Sequence, residues 1–429
     1  MGGAPVVSAP AVDSAPLAVG GSFFTRYEAR AGDLPAIGDR QQFTNADAIF
    51  YRARMSFSPA PMELAPGLAT TVYFEPQASG VYDQGGELSD VALNLHQGYI
   101  QVMAPFYTLQ VGRFEMAYGD HLIIGNVPWH QTGRAFNGGR LQLTPIKNGP
   151  WVDVFVTLQD EGKIPGIDNS HVGALDHYLV GAYGGLGPLF GPFDFDVYAL
   201  SKIWFGGPTS EEVEGVSASH TDPAMQLTLG ARVKGARGDW DYRAEGGFQV
   251  GARKTASVVS EGFIAISDPV DVLAYQLDAE VGMRPQTGLR LALHVFLASG
   301  DDASTEDKAE SWDQHFPTAH KFLGLTDVFQ GRSNVMGFAG HAGYAVSPAI
   351  MTGVDGHVFT RPETPEGTDS YAGSELDFTA SYKFGKKLVL RALYGLFLPN
   401  GDGMPSASVV TGDSGLQHYL EVELASTFP

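Results

Sequence analysis

The sequence contains no cysteine in its 429 residues. This absence excludes disulfide bonds, thiolate metal sites and a cysteine nucleophile. Positive charge is also scarce, because 27 lysines and arginines stand against 48 aspartates and glutamates, for a net charge of −21. The phosphates of nucleic acid would repel such a chain, so we predict no nucleic-acid partner.

Long apolar runs are missing as well. No stretch approaches the ~18 consecutive apolar residues of a transmembrane helix, so we predict no such helix. The first residues, "MGGAPVVSAPAVDSAPLAV", have no basic segment and are interrupted by proline, unlike a secretory signal. We predict a flexible Ala/Pro-rich segment over residues 1–19 and one β-domain over residues 20–429.

Motifs of catalytic and cofactor sites are absent. The chain has no G-x-S-x-G, H-E-x-x-H or P-loop pattern. We interpret His121 and His130 as polar groups that pack within a loop, and we predict no enzymatic activity, no cofactor and no metal site. A barrel enzyme is the alternative from another class. The acidic runs at 210–215 and 301–313 are interpreted as solvated loops, with a weak divalent-cation site as the alternative.

Alternation of apolar and polar residues fills most of the chain from Gly20 onward. In "AMQLTLGARVKG" (224–235) and "SELDFTASYKF" (374–384) every second residue is apolar, which gives a strand one apolar and one polar face. These segments exceed the ~5–6 residues of soluble strands and match the ~9–11 residues of tilted membrane strands. The pattern predicts that the following residues face lipid: Leu227, Leu229, Leu291, Leu293, Phe378, Leu388 and Leu390. It assigns Tyr107, Trp151, Trp204 and Tyr382 to interfacial aromatic girdles.

The links between these segments alternate in length. Short links lie near 104–105, 147–150, 187–189, 236–238, 285–286, 347–348 and 385–386, and a longer, Pro-rich link at 59–68 lies on the same rim. Long links lie at 31–45, 80–89, 118–135, 161–174, 205–222, 253–269, 301–332, 363–370 and 400–413. This rhythm predicts an all-β protein: a transmembrane antiparallel β-barrel of about eighteen strands, with short periplasmic turns and long extracellular loops, in the bacterial outer membrane. Its surroundings would be outer-membrane lipid and lipopolysaccharide. A large soluble all-β protein is the alternative.

Two stretches resemble the alginate-export family of bacterial outer-membrane barrels. The first has Gly112-Arg113, Tyr118-Gly119-Asp120, Ile123-Ile124-Gly125, Trp129 and the run from Arg134 to Arg140. The second has Phe316, Pro317, Thr318, His320, Gly324 and Asp327. "FFTRYEAR" and "IFYRARMSF" resemble the family's first two strands. The chain departs from the family pattern at Leu122, where an arginine is usual, and at Asn137, where an aspartate is usual.

The resemblance implies a monomeric eighteen-stranded barrel whose loops fold inward and whose cationic constriction guides an acidic polysaccharide. Strand parity and the loop 118–135 predict the residues of the pore lining: Arg26, Glu28, Arg30, Arg52, Arg54, Arg113, Glu115, Asp120, Trp129, Arg134, Arg140, Arg232, Lys234, Arg243, Arg290 and Arg391. The arginines either attract an anionic polysaccharide, oligosaccharide or small polar solute, or pair with lumen carboxylates. A weakly selective porin for small or hydrophobic solutes is the second transport hypothesis.

Overall fold

The structure, a computed structural model, describes residues 16–32, 46–83, 88–146, 149–159, 177–187, 193–205, 207–208, 220–254, 256–260, 263–266, 268–302, 304–305, 307–329, 331–400 and 415–428. These residues form a closed barrel of eighteen antiparallel strands, as predicted. The strands are β1 (Leu17–Ala31), β2 (Ala46–Pro59), β3 (Leu68–Asp83), β4 (Leu88–Ala104), β5 (Tyr107–Phe114), β6 (Phe136–Leu143), β7 (Trp151–Gln159), β8 (His177–Gly185), β9 (Phe193–Trp204), β10 (Ala224–Arg237), β11 (Trp240–Arg253), β12 (Val270–Gln286), β13 (Leu289–Ala298), β14 (Val335–Ala345), β15 (Ile350–Thr360), β16 (Tyr371–Phe384), β17 (Leu388–Pro399) and β18 (Gln417–Phe428).

The barrel closes where its first strand pairs with its last. Gly21 of β1 lies opposite Phe428 of β18, and the ladder continues to Ala31 opposite His418. Closure leaves the sheet without an unpaired edge, which a spanning sheet needs because hydrocarbon offers its backbone no hydrogen bonds. The closed sheet confirms the predicted barrel and differs from a pair of packed sheets. β1 begins at Leu17, while residues 1–15 of the predicted N-terminal segment lie outside the described residues.

The links are short at one rim and long at the other, as the sequence predicts. Short elements of the described chain outside the eighteen strands are a strand at Met62–Ala65, two small hairpins (Gly207–Pro208 with His220–Thr221, and Ala256–Ser260 with Phe263–Ile266), a two-residue strand at Lys308–Ala309 that pairs in parallel with β12, and a 3-10 turn at Ala319–Lys321. Within the described part of the chain, no helix has the length and apolar character needed to cross a membrane.

The two faces of the strands differ as period two requires. On β13, Leu293 is 69% exposed on the outer face, whereas His294 is 2% exposed toward the lumen. Leu227, Leu229, Leu291, Phe378, Leu388 and Leu390 likewise share the parity of outward neighbours. Burying each outward leucine or phenylalanine in lipid stabilises the inserted barrel by ~1.5–3 kcal/mol.

Two of the predicted girdle aromatics are on the wrong face. Trp204 and Trp151 share the parity of buried lumen residues, and Trp204 is 5% exposed with its ring 5.2 Å from that of His177. The expectation was wrong because position near a strand end does not reveal which face a side chain takes. Tyr382 is on the outer face and packs against Phe384.

Candidate functional site: the lumen and its two inward loops

Loop A (residues 115–135), which connects β5 to β6, lies inside the barrel. Leu122, Ile123 and Ile124 are at most 2% exposed. Tyr118 stacks on Tyr183 of β8, with the two rings 4.4 Å apart, and donates a hydrogen bond to Asp153 of β7 at 2.9 Å. An apolar segment left in solvent would lose ~1.5–3 kcal/mol for each large side chain, so burial against the wall holds the loop inward.

Loop B (residues 299–334), which connects β13 to β14, also enters the lumen and joins loop A. The backbone of Phe316 accepts a hydrogen bond from the amide of Gly125 at 2.7 Å and donates one to Ile123 at 2.9 Å. Arg134 reinforces this contact, because its guanidinium donates to the carbonyls of Phe316, Pro317 and Gly125. The two loops therefore form one hydrogen-bonded unit across the lumen.

The arginines of β1 and β2 hold the backbone of loop A. Arg26 donates to the carbonyl of Trp129, Arg52 to that of His130 at 2.8 Å, and Arg54 to that of Thr132 at 3.2 Å. Each arginine carries five donors in a rigid fork, which suits several acceptors at once. The arginines predicted on β1 and β2 thus face the lumen, but each of these three donates to a carbonyl of loop A.

Carboxylates pair with most of the remaining cations. Asp120 of loop A accepts from Arg232 and from Lys234, both at 2.9 Å, and Arg232 also donates to Asp196 at 2.8 Å. Burial raises the pKa of Asp120, but the hydrogen bonds and charges of Arg232 and Lys234 lower it more, so it stays below its usual range. Further ion pairs join Arg26 to Glu28, Arg54 to Glu115, Arg140 to Asp153, Arg243 to Asp278, Arg290 to Asp241 and Glu280, and Arg391 to Glu423. The pairing hypothesis accounts for most lumen arginines.

Arg113 corrects the predicted pore lining. Its side chain shares the parity of Val111, which is 54% exposed on the outer face, and opposes Gln110 and Phe114, which are buried. There it donates to Asn137 at 3.2 Å. The strand alternates strictly through Gly112, so Arg113 faces outward, whereas Glu115 follows the strand end and turns into the lumen to bind Arg54 and His96.

The other predicted residues are brought together inside the barrel. The wall carries Arg26, Glu28, Arg30, Arg52, Arg54, Arg140, Arg232, Lys234, Arg243, Arg290 and Arg391, and loop A carries Glu115, Asp120, Trp129 and Arg134. That they line the path of a solute stays a prediction.

Sequence reasoning missed the contacts of loop B with the wall. Thr326 donates through its amide to Glu375 at 2.8 Å, and Asp313 accepts from Lys202 at 2.8 Å. His320 forms an ion pair with Asp327 at 2.9 Å, and its ring lies 4.5 Å from that of Trp129. The motif around 316–327 was the available signal, but the partners lie on β9 and β16, far away in the chain.

A cavity of about 500 Å³ lies between loop B and the wall formed by β12–β17. Its cationic lining includes Lys321, Arg290 and Arg391, and its other polar walls include His341 and Asp355. A smaller cavity of about 160 Å³ lies between loops A and B and is lined by Trp129, Arg134 and His320, among others. His320 borders both cavities.

Comparison with known proteins finds one matching family model and a set of solved structures with a similar fold. A family model described as "Alginate export" matches residues 209–356, a range that includes the motif at 316–327 but not the motif at 112–140. The family resemblance is confirmed. No curated protein sequence matches the chain at a significant level.

Solved structures of outer-membrane proteins share the fold. The chain is similar to Pseudomonas aeruginosa OccK5 (OpdH), with a TM-score of 0.61 and 11% identity over 96% of this chain and 98% of that one. It is similar to P. aeruginosa OccK2 (OpdF) in complex with glucuronate (0.60, 11%, 96% and 98%) and to P. aeruginosa OpdK with vanillate (0.59, 11%, 95% and 98%). The protein is therefore a β-barrel of the bacterial outer membrane.

Proposed function

We propose that the protein is an outer-membrane channel that passes small acidic solutes, of the size of a monosaccharide acid, by way of the 500 Å³ cavity. The observation that carries the proposal is the position of Lys321. This residue of loop B lines the cavity, and no carboxylate of the described residues lies within ion-pairing distance of its ammonium. Burial lowers the pKa of Lys321, which indicates a partly desolvated ammonium that a carboxylate ligand would stabilise.

The size of the cavity favours a small solute over a polymer. A volume of about 500 Å³ falls in the ~300–1,000 Å³ range of small-molecule sites. Loops A and B are joined across the lumen by backbone hydrogen bonds, so a polysaccharide chain would have to displace them. A short oligouronate or a single uronate needs no such displacement.

The charge pattern supports moderate selectivity for anions. Arg290 and Arg391 add positive charge to the cavity, but each already pairs with a carboxylate. The lumen therefore offers one ammonium without an ion-pair partner in the described chain rather than a continuous cationic track. The structures of similar fold that hold glucuronate and vanillate, both carboxylates, support the same solute class by analogy.

The test is current through single channels in planar bilayers. Glucuronate should reduce the potassium chloride current, whereas glucose at equal concentration should not. Lys321→Gln should raise the half-blocking glucuronate concentration at least tenfold, since a charge-assisted hydrogen bond contributes ~1.5–3 kcal/mol. Lys386→Gln, on the exposed turn between β16 and β17, is the matched control and should leave block unchanged. Equal block by glucose and glucuronate would instead support a weakly selective porin.

A further inference from the structure

The geometry points to a divalent transition-metal site in the lumen wall, formed by Glu280, His294 and His341. One ligand atom from each residue lies within 4.8 Å of the other two. Two imidazoles and one carboxylate are a donor set typical of zinc. The sequence gives no sign of this site, because the three residues lie on three separate strands with no motif spacing.

Strand register places the three side chains together. Glu280 of β12 lies directly opposite His294 of β13, and His341 of β14 is two residues from the position opposite His294. Directly opposed side chains in an antiparallel pair have Cβ atoms ~4.5–5.5 Å apart, and diagonal neighbours remain within reach of long side chains. The ligands therefore stand on rigid hydrogen-bonded strands, which holds a metal site more accurately than loops do.

Neighbouring carboxylates orient both imidazoles. Nε2 of His294 is 2.9 Å from Asp278, and Nδ1 of His341 is 2.7 Å from Asp355. Nδ1 of His294 and Nε2 of His341 are thus the nitrogens that remain for a metal. Nε2 of His341 is buried without a hydrogen-bond partner. A carboxylate on the far nitrogen of a histidine ligand fixes its tautomer and increases its basicity.

Glu280 can serve as the third ligand although two arginines contact it. Arg290 donates to Oε1 at 2.5 Å and Arg243 to Oε2 at 3.3 Å. A carboxylate has about four lone-pair positions, so these two bonds leave others for a metal. The charges of these two arginines are also balanced by Asp278, which pairs with Arg243, and by Asp241, which pairs with Arg290.

The spacing needs only small side-chain rotations. A tetrahedral zinc ion holds nitrogen and oxygen ligands at ~2.0–2.2 Å, which places the ligand atoms about 3.4 Å apart. Glu280 and His341 also line the 500 Å³ cavity, so an ion can enter from the lumen and keep a fourth position open to water. Calcium fits poorly, because it prefers six to eight oxygen ligands.

The test uses the full chain folded in detergent, stripped with EDTA and titrated with Zn²⁺ or Ca²⁺ in a calorimeter. We expect one Zn²⁺ site that Ca²⁺ does not fill. His341→Ala and Glu280→Gln should each weaken Zn²⁺ binding at least tenfold. Asp355→Asn, which only removes the orienting carboxylate, should weaken it ~10- to 100-fold. His418→Gln, on the outer face of β18, is the matched histidine control and should bind as the unaltered protein does.

Folding is monitored in each variant by the heat-dependent gel mobility of the barrel. His341 is the first choice because its side chain is 22% exposed and its Nε2 makes no hydrogen bond that folding needs. No Zn²⁺ binding by the unaltered protein, or unchanged binding in folded His341→Ala and Glu280→Gln, would overturn the site. Block by glucuronate is measured separately in EDTA, so this inference and the proposed solute can fail independently.

Discussion

Asp120 accepts a hydrogen bond from Nε of Arg232 at 2.9 Å, although 112 positions separate the two residues in the sequence. This contact connects the first part of loop A to β10, on the wall opposite the arginines of β1 and β2, which hold the last part of the loop. Loop A is thus held near both of its ends inside the lumen. Each of these anchors, meaning the contacts of one end with the wall, can be removed by a separate substitution.

Asp120→Asn should loosen the anchor to β10. The asparagine side chain keeps the shape of the aspartate but loses the charge that binds Arg232 and Lys234. Hydrogen bonds to charged groups contribute ~1.5–3 kcal/mol to stability. We expect frequent brief openings of higher conductance in single-channel recordings, with the barrel still folded. Asp239→Asn, on the exposed turn between β10 and β11, is the control. Identical traces for both variants would show that the anchor does not restrain the loop.

Deletion of residues 121–132 should increase single-channel conductance severalfold. The deletion removes the three buried apolar residues of loop A and its backbone pairing with Phe316, so the lumen loses its cross-connection. Deletion of the exposed residues 365–367 shortens an outer loop without touching this unit and should leave conductance unchanged. If both deletions behave alike, loop A does not limit the current.

Phe378→Arg and Thr379→Arg test the register of the barrel wall. Phe378 lies in the middle of β16 and is 41% exposed on the outer face, whereas Thr379 lines the lumen cavity. An arginine that faces lipid near the midplane costs ~2–4 kcal/mol, so Phe378→Arg should lower the free energy of unfolding by that amount. Thr379→Arg should cost far less. Urea titrations in lipid vesicles measure both, and equal losses would refute the assigned faces.

The contact between His320 and Asp327 should depend on pH. Burial lowers the pKa of His320, but the Asp327 carboxylate raises it more, so the net pKa is above the usual value. The stabilisation is therefore fully present below pH ~6.5 and is lost as pH rises through the raised pKa. We expect current noise to increase as the pH rises above ~6.5. His320→Gln, which cannot titrate, should show the same noise throughout this range.

The sequence predicts the barrel well because period two and link length are local properties. Both hold within one strand or one link, and neither requires knowledge of partners. The buried position of Leu122, Ile123 and Ile124 follows in the same way, since three consecutive apolar residues inside a polar loop are more stable when they are buried. The prediction that this loop enters the lumen needs no more than those residues and the glycines around them.

The site is less predictable because it depends on register between strands. Nothing local to Arg232 indicates that Asp120 reaches it, or that Glu280 lies opposite His294. Arg113 shows the limit within a single strand, since an arginine near the rim can face outward as easily as inward. The sequence thus identifies the polar residues of the lumen, and only the fold shows which of them neutralise each other.

The bridge between loops A and B has a consequence for the order of assembly. Ile124 and Phe316 meet across about half the chain, and the loops they belong to contact β1, β2, β9, β10 and β16. Closing a long loop costs chain entropy, and for this bridge that cost is already met once the strands that carry both loops have paired. A barrel whose strands have paired but whose two loops have not yet met should therefore conduct ions more freely than the native state.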